Sequence, residues 1–281
     1  ILIGVDGING TVAGTKEQID LYINYMNGQA VFKDIDFKQS ESEDMPFPKL
    51  VVKVRDEIIT TDAQDNFSIC RRGKHIDRDT FHEWLVKKDD MVLLDMRNDY
   101  EWEIGRFVNA VRPPMKYFRE LKDNMDFYEQ YKGNPSTGLR PRKIVMFCTG
   151  GIRCEPASAY FIAHGFDPKN LYQLEGGIVK YAQKYGNEGF YEGKCFVFDD
   201  RMAVSVGESE KRIVGSCLHC EGASDTYRNC LNRFCNKLFI GCEQCTLVFE
   251  NACSERCRAI VRDPASQRPV ASNHVMTHRN K

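Results

Sequence analysis

The residues best suited to chemistry lie in IVMFCTGGIRCE, residues 144–155, where an apolar run ends in Cys148. Two glycines and Arg153 follow this cysteine, and a helix is predicted to begin directly after them. Curled backbone N–H groups, a helix N-terminus and a guanidinium all favour a thiolate, and together they lower a cysteine pKa from ~8.5 to roughly 3.5–7.5. We therefore expect Cys148 to be a nucleophile or a carrier of an anionic sulfur adduct. An inert buried cysteine beside a tight turn is the simpler alternative, but it leaves the whole pattern unexplained.

The size of the loop after Cys148 selects among ligands. A phosphatase loop has one residue more between its cysteine and its arginine, because a tetrahedral phosphate needs that width. The shorter loop is therefore expected to hold a terminal sulfur rather than a phosphate. The predicted active-site loop consists of Thr149, Gly150, Gly151, Ile152 and Arg153.

Three more residues are candidates for supporting roles. Cys154 directly follows the loop, where it could resolve a Cys148 persulfide or sulfenate as a disulfide or simply pack at a helix start. Asp95 and Arg97 stand at the end of the apolar strand DMVLLDMR, residues 90–97. They could orient a substrate, but we favour the interpretation that they form an internal salt bridge between neighbouring strand ends.

A second group of reactive side chains lies near the C-terminus, where eight of the twelve cysteines are clustered in pairs. Two Cys-x2-Cys pairs about twenty residues apart indicate a zinc site, although free or oxidised cysteines are the alternative. Eight thiolates allow one or two structural zinc ions. We favour an interleaved arrangement, in which the first pair joins the third and the second joins the fourth, over a sequential one. The candidate metal ligands are Cys217, Cys220, Cys230, Cys235, Cys242, Cys245, Cys253 and Cys257.

Aromatic and basic residues alternate with these cysteines. Such residues suit contacts to RNA bases and phosphates, although a solvated face explains them nearly as well. The metal itself is expected to stabilise a module whose core is too small to fold alone. The candidate RNA contacts are Tyr227, Arg228, Arg233, Phe234 and Lys237.

The segments around Cys148 indicate an α/β fold. Helical patterns alternate with short, continuously apolar strands, which predicts a doubly wound parallel sheet with helices on both faces. Ligands of such sheets bind at the carboxyl ends of the strands, where Cys148 lies. The predicted helices are 77–88, 115–133, 155–165 and 177–186, and the predicted strands are 90–97, 142–148 and 170–177.

The chain divides into three regions by pattern. Residues 1–64 form a small α+β domain, in which Thr15 and Gln18 make a capping box and residues 48–60 alternate like a strand. This domain begins on a strand with nothing before it to pair with, so we expect that a preceding strand and helix are missing. Residues 73–188 form the α/β domain. Residues 189–281 form the Cys-rich region, with a basic tail that contains Arg256, Arg258, Arg262, Arg268, Arg279 and Lys281.

Composition places the 281-residue chain among ordinary globular proteins, with 42% hydrophobic and 28% charged residues. The net charge of −1 gives no global basic field, so any nucleic-acid contact must be local. No run approaches the ~20 apolar residues of a membrane span, and no membrane partner is expected. Clustered reduced cysteines are typical of a reducing compartment, so we expect a cytoplasmic protein.

Several blocks of the sequence together resemble a known family. VLLDMRNDYEWEIGRF (92–107), IVMFCTGGIRCE and LYQLEGGI resemble a rhodanese domain, and GINGT near the start together with the Cys-rich tail resembles the rhodanese-domain tRNA uridine hydroxylases (TrhO family). The resemblance implies a ferredoxin-like or acylphosphatase-like first domain and an essential persulfide or thiolate on Cys148. It also implies oxygen-dependent conversion of the wobble uridine to 5-hydroxyuridine, with the tRNA anticodon region as partner. Two positions depart from the family: Pro156 replaces a usual Lys, and Asp6 stands alone where an acidic pair is common.

Two other functions remain open at this point. The loop alone fits a rhodanese-type sulfurtransferase that carries sulfur on Cys148 to an acceptor. A zinc-containing RNA-binding protein with a relic rhodanese domain is the non-enzymatic alternative, and the intact cysteine argues against it. The sequence has no flavin, haem or nucleotide motif. Molecular oxygen is therefore a co-substrate by resemblance alone, and the electron or sulfur donor is unidentified.

Overall fold

A computed structural model of the chain describes residues 1–33, 35–61, 67–133, 138, 140–207 and 212–263. These residues form two compact units, one of which comprises residues 1–60 and 198–201, and the other the rest. The expected end of the first domain at residue 64 lies outside the described residues, as do Arg268, Arg279 and Lys281 of the basic tail.

The first unit is a small α+β structure. Its three-stranded sheet has the order β2-β1-β3, formed by β1 (Leu2–Gly4), β2 (Gly7–Asn9) and β3 (Lys53–Val54). Helix α1 (Lys16–Asn27) begins at the predicted capping box, in which the Gln18 backbone N–H donates to Thr15 Oγ1 and the Thr15 N–H donates to Gln18 Oε1. The strand predicted over 48–60 is much shorter than expected, since only two of its residues pair.

The second unit has the expected alternation of strands and helices around a parallel sheet. Strands β4 (Lys74–Ile76), β5 (Met91–Asp95), β7 (Lys143–Phe147) and β8 (Leu171–Leu174) pair in the order β4-β8-β7-β5. The helices between and after them are α2 (Arg78–Lys87), α3 (Asp99–Ile104), α4 (Met125–Lys132), α5 (Cys154–Ala163) and α6 (Gly177–Tyr185). Short 3-10 helices span Phe118–Asn124, Pro168–Asn170 and Gly186–Glu188. The parallel pairing of these strands confirms the predicted α/β fold.

A second, antiparallel sheet extends this core. Its order is β10-β9-β6, with β6 (Gly105–Phe107), β9 (Tyr191–Phe196) and β10 (Ala203–Ser205). Tyr191 and Cys195 of β9 are buried in the same core as Phe147 and Tyr181. The start of the Cys-rich region, from residue 189, is therefore part of the α/β core, and the metal-ligand pairs begin only after it.

The remainder of the second unit is a small module built on a hairpin. Strands β11 (Tyr227–Asn229) and β12 (Leu238–Ile240) pair antiparallel, followed by α7 (Glu243–Val248) and α8 (Glu255–Arg262). Among the described residues, no helix combines the length and the apolar character that crossing a membrane requires.

Candidate active site and metal clusters

Cys148 lies at the carboxyl end of β7, in the middle of the parallel sheet, where such folds place their ligands. Its side chain is buried, and the backbone N–H of Gly151 donates a hydrogen bond to its sulfur over 3.1 Å. Gly151 has a φ of +96°, in the region that favours glycine, and this conformation turns the loop back toward the thiol. Helix α5 then begins at Cys154.

The electrostatics around Cys148 favour the thiolate. Burial alone would raise its pKa, but a hydrogen bond from the Cys154 thiol, the charge of Arg153 and the N–H groups of Arg153 and Gly151 outweigh burial and lower the pKa to about 6. Burial and the neighbouring Cys148 raise the pKa of Cys154 well above its ordinary value. The pair therefore consists of an ionised sulfur and a protonated one that donates to it. This arrangement fits a nucleophilic or sulfur-carrying residue.

A buried carboxylate that the sequence analysis did not single out fixes the loop. Glu101 of α3 accepts hydrogen bonds from Arg153 Nη1 and Nη2 over 2.5 and 2.8 Å, and from Thr149 Oγ1 over 3.1 Å. Burial opposes its ionisation, but Arg153 lowers the pKa of Glu101 below its ordinary value. The only local signal for Glu101 is the Asn98-x-x-Glu101 capping pattern, which accounts for the residue without reference to the loop.

The second glycine pair, in the block LYQLEGGI, packs under the same loop. Backbone N–H groups of Ile178 and Val179, at the start of α6, donate to the carbonyl oxygens of Cys148 and Thr149 over 3.0 and 3.1 Å. Gly177 has a φ of +60°, and a Cβ on it would collide with the Cys148 carbonyl. Two N-terminal N–H groups of α6 that lack a partner within the helix therefore donate to the loop, and only glycine permits this close approach.

Asp95 and Arg97 form the internal salt bridge that we favoured. Arg97 Nη2 lies 2.6 Å from Asp95 Oδ2 and 2.7 Å from the carbonyl oxygen of Gly105, and both side chains are buried. Arg97 Nη1 also donates to the Tyr191 hydroxyl over 3.2 Å. The pair ties the end of β5 to β6 and β9, and it therefore holds together the part of the core beside Cys148.

The remaining loop residues differ in exposure. Thr149, Gly150 and Gly151 are half-buried, whereas Ile152 is exposed. A Cβ on Gly150 would meet no atom within 4 Å, so the space beside it is open. Pro156, which departs from the family pattern, is half-buried in the first turn of α5. The loop is therefore open on the side of Gly150.

The eight clustered cysteines form two four-sulfur groups. We call Cys217, Cys220, Cys242 and Cys245 the first cluster, and Cys230, Cys235, Cys253 and Cys257 the second cluster. Within each cluster all sulfur atoms lie within 4.8 Å of one another. This is the interleaved arrangement, in which the first cysteine pair joins the third and the second joins the fourth.

The spacing of the sulfur atoms suits zinc. A tetrahedron with Zn–S bonds of about 2.3 Å has sulfur atoms about 3.8 Å apart. The structure gives 3.8 Å for Cys220 to Cys242, 3.5 Å for Cys235 to Cys253 and 3.8 Å for Cys253 to Cys257. Both clusters can hold a metal ion in the geometry that structural zinc prefers.

The prediction of RNA contacts in this module is wrong for Tyr227. Its ring is buried against Phe196 with the ring centroids 5.5 Å apart, and its hydroxyl donates to the backbone carbonyl of Tyr100. By contrast, Arg233, Phe234 and Lys237 are exposed, and Arg228 is half-buried. The alternation of aromatic and basic residues in the sequence does not separate these two environments.

Comparison with protein families divides the chain into three matched segments. Residues 1–58 match the family described as UPF0176 acylphosphatase like domain, residues 77–184 match Rhodanese-like domain, and residues 192–258 match Rhodanase C-terminal. Cys148 and its loop fall in the second segment, and both cysteine clusters fall in the third.

Several relatives resemble the chain over most of its length. The chain is 39% identical over 259 residues to a tRNA uridine(34) hydroxylase of Chlamydia abortus. The matched region covers 92% of this chain and 76% of the relative. The chain is 37% identical to the protein of the same name from Protochlamydia amoebophila, over 92% of this chain and 78% of the relative. Among solved structures, a rhodanese-related protein from Thermoplasma volcanium matches 40% of this chain and 92% of its own length, with 21% identity and a TM-score of 0.31.

Proposed function

Since the chain belongs to the tRNA uridine(34) hydroxylase family, we propose that it hydroxylates the wobble uridine of tRNA with Cys148 as its essential residue. The proposed product is 5-hydroxyuridine. One oxygen atom of dioxygen is inserted into the C5–H bond of the uracil ring, and the other leaves as water. The reaction therefore also consumes two electrons and two protons from a reductant that is not identified.

The observation that carries this proposal is the stabilised thiolate of Cys148. Its sulfur accepts the Gly151 N–H, and its pKa of about 6 leaves it largely ionised at neutral pH. Thr149, Gly150, Gly151, Ile152 and Arg153 form the wall around it, with Gly150 beside open space. A thiolate, or a persulfide carried on it, is the strongest nucleophile that these residues supply.

The supporting residues receive separate roles in the proposal. Arg153 stabilises negative charge on the Cys148 sulfur, and Cys154 donates a hydrogen bond to it. Asp95 and Arg97 hold the strand ends beside the loop. The two cysteine clusters are proposed to bind zinc as structural ions, and the proposed substrate is the anticodon region of tRNA. Because reduced thiols and tRNA occur together in the cytoplasm, we propose that the protein acts there.

Nucleoside mass spectrometry of total tRNA tests the proposal. Cells lacking the gene are complemented with the wild-type protein, with Cys148→Ser or with Cys70→Ser, which changes an exposed cysteine outside both clusters. We expect wild-type and Cys70→Ser to restore 5-hydroxyuridine-derived nucleosides, and Cys148→Ser to restore none. Nucleosides that are unchanged by loss of the gene would overturn the hydroxylase proposal.

A sulfurtransferase is the second candidate, and the loop favours it. The hydrogen bond from Gly151 and the short Cys-x4-Arg loop suit a terminal sulfur on Cys148 as well as a thiolate. The discriminating measurement is turnover of thiosulfate and cyanide by the isolated protein without RNA. Efficient turnover together with unchanged tRNA nucleosides would favour sulfur transfer over hydroxylation.

A further inference from the structure

Helix α3 has to be held from outside, because its six residues are too few to be stable alone. It carries Glu101, whose carboxylate contacts both Arg153 and Thr149 of the Cys148 loop. The position of α3 therefore helps to fix the loop whose Gly151 N–H group is directed at the Cys148 sulfur.

The β11–β12 hairpin provides part of that support. The Tyr227 hydroxyl, on β11, donates to the backbone carbonyl of Tyr100, the residue before Glu101. The last residue of α3, Ile104, is buried in one cluster with Tyr227, Ile240 and Phe196. The Tyr100 ring also lies edge-on to Phe196, with centroids 4.9 Å apart. One face of α3 is thus packed against the β11–β12 hairpin and its neighbours.

The hairpin in turn has little strength of its own, because each strand has three residues and an isolated hairpin is at best marginally stable. The two cysteine clusters flank it. Cys230 and Cys235 of the second cluster lie in the connection between the strands, while Cys242 of the first cluster follows β12. The Leu218 N–H, inside the first Cys-x2-Cys pair, donates to the Ile240 carbonyl over 2.8 Å. Metal bound at both ends would fix the hairpin.

We propose that Tyr227 is a positioning residue for the Cys148 site. It connects the β11–β12 hairpin, which the two cysteine clusters flank, to α3 and through Glu101 to the loop. The inference rests on the proposed function only in taking Cys148 as the reacting residue. It makes the metal clusters part of the active-site scaffold. Loosening the hairpin lets α3 and Arg153 shift, so that the loop N–H groups and the guanidinium no longer stabilise the thiolate.

The thiolate of Cys148 is a suitable reporter because charged and titratable groups on several neighbouring elements surround it. The titratable and charged groups around it include Cys154 and Arg153 after the loop, Glu101 and Tyr100 on α3, Asp95 and Arg97 at the end of β5, and Tyr191 and Cys195 on β9. Glu101 is next in sequence to the Tyr100 carbonyl that Tyr227 contacts. A change at Tyr227 therefore reaches the thiolate first through Glu101 and Arg153.

The test uses Tyr227→Phe in the full chain, which removes one hydroxyl and keeps the buried ring. The matched control is Tyr185→Phe, which removes the hydroxyl that donates to Asp79 on α2 over 2.6 Å, away from α3. Ultraviolet thiolate absorbance is titrated for each protein and for its Cys148→Ser counterpart, so that the difference reports Cys148 alone. Bound zinc is counted by elemental mass spectrometry.

We expect the Cys148 midpoint to rise by about one pH unit in Tyr227→Phe, with the zinc content unchanged, and to stay in place in Tyr185→Phe. Stripping zinc from the wild-type protein with a chelator should raise the midpoint as well. If Tyr227→Phe does not fold, Ile240→Val, which trims a contact in the same cluster, should give a smaller rise. A midpoint that stays at its wild-type value in the folded Tyr227 or Ile240 variant would overturn the proposal, whatever the hydroxylase activity proves to be.

Discussion

The carboxylate of Glu101 and the guanidinium of Arg153 form a buried bidentate ion pair, with N–O distances of 2.5 and 2.8 Å. The two residues are 52 positions apart in the sequence. The same carboxylate accepts the Thr149 hydroxyl, so it holds the beginning and the end of the Cys148 loop. The pair has two separable effects. It compensates two buried charges, and it places a positive charge beside the sulfur.

The first prediction separates these effects. Arg153→Met leaves the Glu101 carboxylate buried without its ion-pair partner, and we expect it to lower the free energy of unfolding by about 3–5 kcal/mol. The double variant Glu101→Leu with Arg153→Met removes both charges and should recover most of this loss. In both proteins the pKa of Cys148 should rise above about 6, because the Arg153 charge is gone. Denaturant unfolding and thiolate titration measure the two effects.

A double variant as unstable as the single one would show that packing, and not charge, dominates at this pair. A Cys148 midpoint that stays near 6 in both would mean that Cys154 and the backbone N–H groups suffice to stabilise the thiolate.

Much of the site follows from local sequence, since a strand end, two glycines and a helix start place the Cys148 thiolate without knowledge of the rest of the chain. Local sequence does not reveal the contact that Glu101 makes with the loop, because its capping pattern already accounts for the residue from its neighbours. Its contact with Arg153 depends on how α3 packs over the sheet, which no local spacing encodes. The burial of Tyr227 does not follow from the sequence for the same reason, because alternating aromatic and basic residues do not show which of them packs against the α/β core.

The second prediction concerns the glycine beneath the loop. We expect Gly177→Ala to destabilise the protein by at least about 2 kcal/mol and to abolish hydroxylation, because alanine is strained at a φ of +60° and its Cβ would collide with the Cys148 carbonyl. Gly150→Ala is the control for stability, since a Cβ there meets no atom within 4 Å. Thermal unfolding of both variants is the measurement. Equal stability of the two would contradict the packing described for α6 and the loop.

The third prediction concerns the two clusters. Each needs four thiolates, so Cys217→Ser and Cys230→Ser should each lose one zinc ion per chain and retain the other, while Cys70→Ser should lose none. If the loss of one zinc ion lowers the free energy of unfolding by ~3 kcal/mol, the melting temperature should fall by roughly 6–12 °C in a unit of this size. Elemental mass spectrometry and calorimetry are the measurements. Loss of both ions in either variant would show that the clusters depend on each other.

The last prediction follows the thiolate itself. Because the pKa of Cys148 is lowered to about 6, its rate of alkylation should rise about tenfold per pH unit below that value and level off above it, whereas an ordinary thiol keeps gaining reactivity up to ~8.5. Cys154→Ala removes the donated hydrogen bond and should move the midpoint upward. Cys195→Ala, at a buried thiol whose pKa is raised to about 12, should leave it in place. Peptide mass spectrometry at Cys148 gives the rates. A wild-type rate still rising above pH ~8 would mean that the loop does not stabilise the thiolate, and the case for Cys148 as the reacting residue would then fail with it.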